Sequence, residues 1–103
     1  MRTQSPINYG VSAGTNGTYT ATIDTIGANP SNGLMLTLKM HQASTAHDAT
    51  LAVNGGTAYP LIKQTDGSQI TDTGIWAIDT FLLIVYSSTG VSSSTPAWVV
   101  IGV

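Results

Sequence analysis

His41, His47 and Asp48 are the side chains whose types and spacing come nearest to a reactive cluster, in the arrangement H-x5-H-D. Imidazole nitrogens and carboxylate oxygens could together hold zinc or a similar ion. Such a site usually takes three or four convergent ligands, and this chain offers two histidines, no cysteine and no glutamate. Metal binding is therefore not expected, and both histidines fall at or beyond a strand end, where loop residues are normally just hydrated. Serine is abundant, but no G-x-S-x-G elbow occurs, and "ASTAHDAT" gives no reason for an activated nucleophile. A carboxylate pair for glycoside cleavage would have to come from Asp24, Asp48, Asp66, Asp72 and Asp79. Four of these stand in or beside turn-like stretches, where aspartate serves local hydrogen bonding. "NGGT" and "TDGS" are turns, not phosphate loops, because neither is followed by G-K-[ST] and a helix. "NGT" at Asn16 to Thr18 is a formal glycosylation acceptor, which has no consequence without secretion. The pattern implies no enzyme and no cofactor.

The rings of Tyr59, Trp76, Tyr86 and Trp98 could stack on a sugar. Aromatic residues in strands more often fill a core or a subunit interface. Trp76, Tyr86 and Trp98, with His47 and Asp48, are the candidates for interface or ligand contact.

These residues must be positioned by a short chain of 103 residues, enough for one domain. Only 8% of residues are charged, the bases being Arg2, Lys39 and Lys63, and the net charge is −2. Nucleic-acid binding needs a basic stripe and is not expected. Threonine favours strands, and the charged helix formers are nearly missing, so the fold class is all-β. No signal peptide is visible, and the apolar runs Phe81 to Tyr86 and Ala97 to Val103 fall far short of the roughly 18 residues of a membrane helix. No membrane insertion is expected.

Residues 1–17 carry Pro6, Gly10, Gly14 and Gly17 among polar residues and are expected as an arm or linker, ordered only if something packs on it. Residues 18–103 are expected as a single β-domain. "TYTATI" places Tyr19, Ala21 and Ile23 on one face and threonines on the other. In "LMLTLKMH", Leu34, Leu36, Leu38 and Met40 share a face. In "DATLAVNGGTAYPLIK", Leu51 and Val53 point one way, Asn54-Gly55 predicts a type I′ hairpin, and Pro60 predicts a sheet edge or bulge. Ile75 to Ile78 and Thr80 to Tyr86 are strand-like, although a weak helix over "QITDTGIWAID" is an alternative broken by Gly74. Ser87 to Pro96 is a flexible loop, and "AWVVIGV" is the closing strand. The count is about seven short strands in a small antiparallel β-sandwich or barrel.

An antiparallel strand with one wet face alternates apolar and polar residues. "FLLIVY" does not: Phe81, Leu83 and Val85 face one side, Leu82, Ile84 and Tyr86 the other. "WVVIGV" does not either. A domain of this size has one core, so the second apolar face predicts cover by another chain, unless both strands are central within the monomer. Low charge also removes the usual defence against such association.

From Gly14 onward the chain resembles a small β-domain of bacteriophage tail fibres, tail spikes and receptor-binding proteins. "SAGTNGTYTATI" is similar to that family's opening strand, and "NGLMLTLKMHQAST" to its second strand with the polar connection after it. "ATLAVNGGTAYPLIKQTDGSQI" resembles its most recognisable part, and "FLLIVYSS" with "AWVV" its final pair. The order and spacing of these motifs carry the resemblance. The family departs from this chain at "SSTGVSSSTPAW" and "AHDAT", where it usually has shorter or plainer turns. It implies homotrimers in elongated virion appendages, some of which bind host-surface glycans, and it supplies no catalytic residues.

The expected function is that of a phage virion structural protein assembled in the host cytoplasm: a trimerising module of a tail fibre, baseplate or surface appendage. Its expected partners are copies of itself, other virion proteins and, for adhesion, a host-surface glycan. The family's domains usually sit inside a long fibre chain, whereas this one starts with Met and fills the chain, so a stand-alone decoration or fibre protein, or a fragment, is also expected. The alternatives are a small capsid or tail decoration protein and a monomeric carbohydrate-binding module.

Overall fold

The computed structural model describes residues 8–91 and 94–103; the first seven residues of the expected arm and two serines of the Ser-rich loop lie outside that range. The fold is all-β, as expected, with eight strands among the described residues. They are β1 (Tyr9–Val11), β2 (Ala13–Thr15), β3 (Thr18–Ala21), β4 (Met35–Lys39), β5 (Thr50–Val53), β6 (Tyr59–Lys63), β7 (Phe81–Ser87) and β8 (Ala97–Val100). Their order is β1-β4-β7-β8-β6-β5-β3-β2.

The two outermost strands of that order, β1 and β2, are consecutive in the chain and separated only by Ser12. One extended segment therefore pairs with β4 through its first half and with β3 through its second. It brings the two ends of the sheet together into a nearly closed barrel. On the other side β6 makes the same kind of crossing. Tyr59 and Pro60 pair with β5, while Leu61 to Lys63 pair with β8. Pro60 thus sits at a corner where the strand changes partner, inside the sheet rather than at the expected edge. The missing amide proton is tolerated because the ladder changes sides there.

The pairings β1/β4, β3/β5 and β6/β8 are parallel, and the rest are antiparallel. The barrel is therefore mixed, where sequence pattern suggested antiparallel pairing throughout. A parallel neighbour needs a long connection, and residues 22–49 and 64–96 supply it.

Period-two patterning holds where it is strongest. Leu36, Leu38 and Met40 are buried, as are Leu51 and Val53, and Tyr19, Ala21 and Ile23. Leu82, Ile84 and Tyr86 turn into the same core. Two turns differ from expectation. Asn54-Gly55 takes the left-handed pair expected of a type I′ turn, with φ of 54° and 74°. It does not join its strands directly, since Leu51 pairs with Tyr59 and residues 54–58 form the connection. The two-residue hairpin is instead Asn16-Gly17, with φ of 54° and 80°, between Thr15 and Thr18, inside the stretch expected as a linker.

Ile75 to Ile78 do not form a strand. Gly74 and Asp79 both adopt left-handed φ, at 81° and 66°, and break the run at each end. Trp76 plugs the barrel from this turn. Its indole N–H donates to the Gln42 carbonyl at 2.9 Å, and Ser44 Oγ accepts the N–H groups of Ile75 and Trp76.

Candidate functional site

The expected contact residues separate into two groups. Trp76, Tyr86 and Trp98 belong to the core, with Trp98 only 1% exposed. Tyr86 packs edge-on against Trp98 at 5.3 Å between ring centroids and against Tyr59 at 5.2 Å. The Trp98 indole N–H donates to the Leu51 carbonyl at 3.1 Å. Trp76 lies apart from this group, beside Tyr19. All three rings are buried within the single chain. Burying both ring faces is the most favourable use of the chain's largest apolar side chains.

His47 and Asp48 are exposed on the connection between β4 and β5. Among the described residues no group of three metal-ligating side chains comes together. His41 serves the closing segment instead. Its Nδ1 lies 2.6 Å from Ser12 Oγ, and its Nε2 lies 2.8 Å from the Gly14 carbonyl. The carbonyl only accepts, so Nε2 carries a proton, and the Ser12 hydroxyl pairs with Nδ1 while accepting the His41 backbone N–H at 2.9 Å. The histidine is a clasp for β1 and β2.

Among the described residues, the surface grooves include these two. One, of about 520 Å³, runs along the seam between β1 and β3 and is lined by Tyr9, Gly10, Val11, Ala13, Thr20, Ala21, Thr22 and Gly55. The other, of about 270 Å³, lies between Pro60, Ile62, Gly67, Gln69, Thr95 and Ala97. Neither is lined by a carboxylate, histidine or lysine, so neither assembles an acid–base pair.

The distinctive surface is the outer face of β1, β4, β7 and β8. The strand registers arrange it in three rows. Val11, Lys39 and Phe81 form the first; Tyr9, Thr37 and Leu83 the second; Met35, Val85 and Val99 the third. Ile101 extends the second row, its N–H bonded to the Leu83 carbonyl. Phe81 is 60% exposed, Met35 51%, Val11 50% and Leu83 40%. Tyr9 packs against Phe81 at 6.1 Å, and the Lys39 ammonium stands 5.8 Å over the same ring. Lys39 and Thr37 are the polar members of these rows. The exposed large side chains present roughly 500 Å² of accessible apolar surface, near the upper end for an isolated monomer.

The outer face of β2, β3 and β5 has the opposite character. Its rows are Ala13, Thr20 and Ala52, then Thr15, Thr18 and Thr50. Small and hydroxylated side chains leave that face wet at little cost.

The sequence pattern located Phe81, Leu83 and Val85 on a second apolar face. It missed Tyr9 and Val11, because three-residue strands next to Gly10 and Gly14 carry too little periodicity to be seen. No protein-family model, curated protein or solved structure matches this chain.

Proposed function

We propose that this chain is a structural module of a bacteriophage virion appendage that assembles as a homotrimer through the outer face of β1, β4, β7 and β8. The observation that carries the reading is the contiguous apolar face centred on Phe81 and Leu83, which the monomer leaves in water. Covering it gains about 25 cal/mol for each Å² of apolar area removed from solvent. A chain with 8% charged residues opposes that association weakly. The motif order that resembles phage fibre domains supplies the virion context and the trimer.

Architecture is the first role. Adhesion to a host-surface glycan is a second, borne by exposed loops such as that of His47 and Asp48. A decoration protein that seats the same face on another virion protein is the neighbouring alternative. A monomeric carbohydrate-binding module is the other alternative; of its four candidate rings Trp76, Tyr86 and Trp98 lie in the core and Tyr59 is half-buried.

Sedimentation equilibrium at micromolar concentration tests the proposal. A mass of three chains is expected. One chain's mass across the whole concentration range would overturn self-assembly and leave docking on a different virion protein. A glycan array then separates adhesion from architecture.

A further inference from the structure

Three Asn-Gly pairs punctuate the chain, at Asn16-Gly17, Asn32-Gly33 and Asn54-Gly55. Such a pair can modify itself. The glycine backbone nitrogen gives up its proton to water or hydroxide and attacks the side-chain carbonyl carbon of the asparagine. A carbon–nitrogen bond forms, the amide nitrogen leaves as ammonia, and a five-membered succinimide remains. Water then opens the ring. Attack at the side-chain carbonyl yields aspartate, and attack at the main-chain carbonyl yields an isoaspartyl linkage. One water is consumed and one ammonia released, and nothing is oxidised or reduced. The step needs an amide carbon free to swing and a glycine N–H not already committed.

In sequence the three pairs are chemically equivalent, and the fold separates them. The Asn54 amide is held on both sides. Its Oδ1 accepts the Ile23 N–H at 2.7 Å, and its Nδ2 donates to the carbonyls of Ile23 at 2.9 Å and Ile26 at 2.7 Å. Swinging it toward Gly55 breaks all of these bonds. At the second pair Asn32 Oδ1 accepts the Ser88 N–H at 3.0 Å, and the attacking nitrogen of Gly33 is itself bonded to the Tyr86 carbonyl at 2.9 Å. Asn16 differs from Asn32 in both respects and from Asn54 in the freedom of its amide. Its side chain is exposed although Gly17 is buried, and neither its side-chain amide nor the Gly17 N–H has a hydrogen-bond partner among the described residues. The Gly17 carbonyl does accept the Thr50 N–H at 2.8 Å, which fixes the far side of the glycine but not its nitrogen.

We infer that Asn16 is a self-modification site of the folded chain, converting by deamidation at the tip of the β2–β3 hairpin while Asn54 stays protected. The consequence reaches the barrel. An isoaspartyl linkage adds one methylene to the main chain within a two-residue turn, and that turn sets the Thr15–Thr18 register. β2 is half of the segment that closes the sheet.

Peptide mass mapping of the folded protein, held in mildly alkaline buffer and sampled over time, tests this. The same chain in denaturant is the reference, in which the three pairs convert at comparable rates. In the folded chain Asn16 is expected to convert at least ~10-fold faster than Asn54, since the latter must first give up several hydrogen bonds. Equal rates at Asn16 and Asn54, or faster conversion at Asn32 or Asn54, would overturn the inference. An Asn16→Gly variant keeps a residue that accepts the left-handed φ. It should lose the first acidic species seen by ion exchange, and persistence of that species would overturn the assignment as well.

Discussion

Replacing Phe81 by serine and Leu83 by threonine isolates the outer face from the core. Phe81 is 60% exposed and Leu83 40% exposed, so their solvent-facing parts amount to about 120 Å² and about 70 Å². Covering these parts in an assembly contributes about 3 and about 2 kcal/mol per copy. Removing them should weaken association by about 3–4 kcal/mol per copy after allowing for the smaller side chains, about 9–12 kcal/mol for a trimer, whose dissociation midpoint scales as the square root of its dissociation constant and so rises roughly three to four decades. The monomer loses little. Phe81 touches the Tyr9 ring and lies under Lys39, contacts worth about 1 kcal/mol at an exposed site. The assay is sedimentation equilibrium across three decades of concentration, paired with thermal unfolding under conditions where both proteins are monomeric. The expected result is a dissociation midpoint moved up by roughly three to four decades and a monomer melting temperature lowered by no more than about 8 °C. An unchanged midpoint with an intact fold would refute the placing of the interface on this face.

Asn54→Ala should cost about 2–4 kcal/mol in urea unfolding, because it strands the Ile23 N–H and the carbonyls of Ile23 and Ile26 and puts alanine at a φ of 54°. A loss below about 1 kcal/mol would show that water replaces the amide readily. His41→Ala should lower stability by about 1–3 kcal/mol and speed amide exchange selectively in residues 9–15, whose clasp it removes; uniform exchange across the barrel would refute the clasp. Trp98→Asp should abolish folding by placing an unpaired carboxylate in the core, and a folded variant would contradict the 1% exposure of that ring. Alkali should also unfold the chain. Burial pushes the Tyr19 hydroxyl above its ordinary pKa against an opposing contribution from Thr45, and burial together with Tyr59 does the same to Tyr86. The unfolded chain therefore ionises first. The stability held by the neutral rings is complete below the ordinary tyrosine value and is lost as pH rises from there through the folded values. Tyr19→Phe should flatten that decline, and an unaltered slope would count against it.

What sequence could reveal followed the strength of local pattern. "LMLTLKM" and "FLLIVY" have enough alternating positions to assign faces, and Leu36, Leu38, Leu82 and Ile84 are buried accordingly. "AWVV" is apolar at both parities, so no alternation shows which way Trp98 points, and all four residues are buried. Trp76 looked like a strand residue because Ile75 and Ile78 flank it. Its role as a plug depends on Ser44 and Gln42, more than thirty residues away. Likewise the ordering of residues 9–15 depends on His41, which the sequence presents only as a weak metal ligand. Parallel pairing is equally invisible, since a strand's own residues do not state the direction of its neighbour.

Closure of the barrel narrows the ways in which copies can meet. An open sheet associates by adding strands at its edges, where unpaired backbone groups wait. Here the two terminal strands are halves of one segment spanning the seam, so each is already bonded along one side and turned against the opposite strand on the other. The close approach is visible at Gly10, where a Cβ would stand 2.8 Å from Ile23 Cγ1. For the proposed association through side chains, the two outer faces are unequal. Threonine and alanine on β2, β3 and β5 keep their water at small cost, whereas Phe81, Met35, Val11 and Leu83 lose theirs with gain. A subunit with one wet face and one apolar face is directional. In the proposed assembly, copies joined through the apolar face would turn their threonine faces outward, which favours a closed set over an unbounded stack.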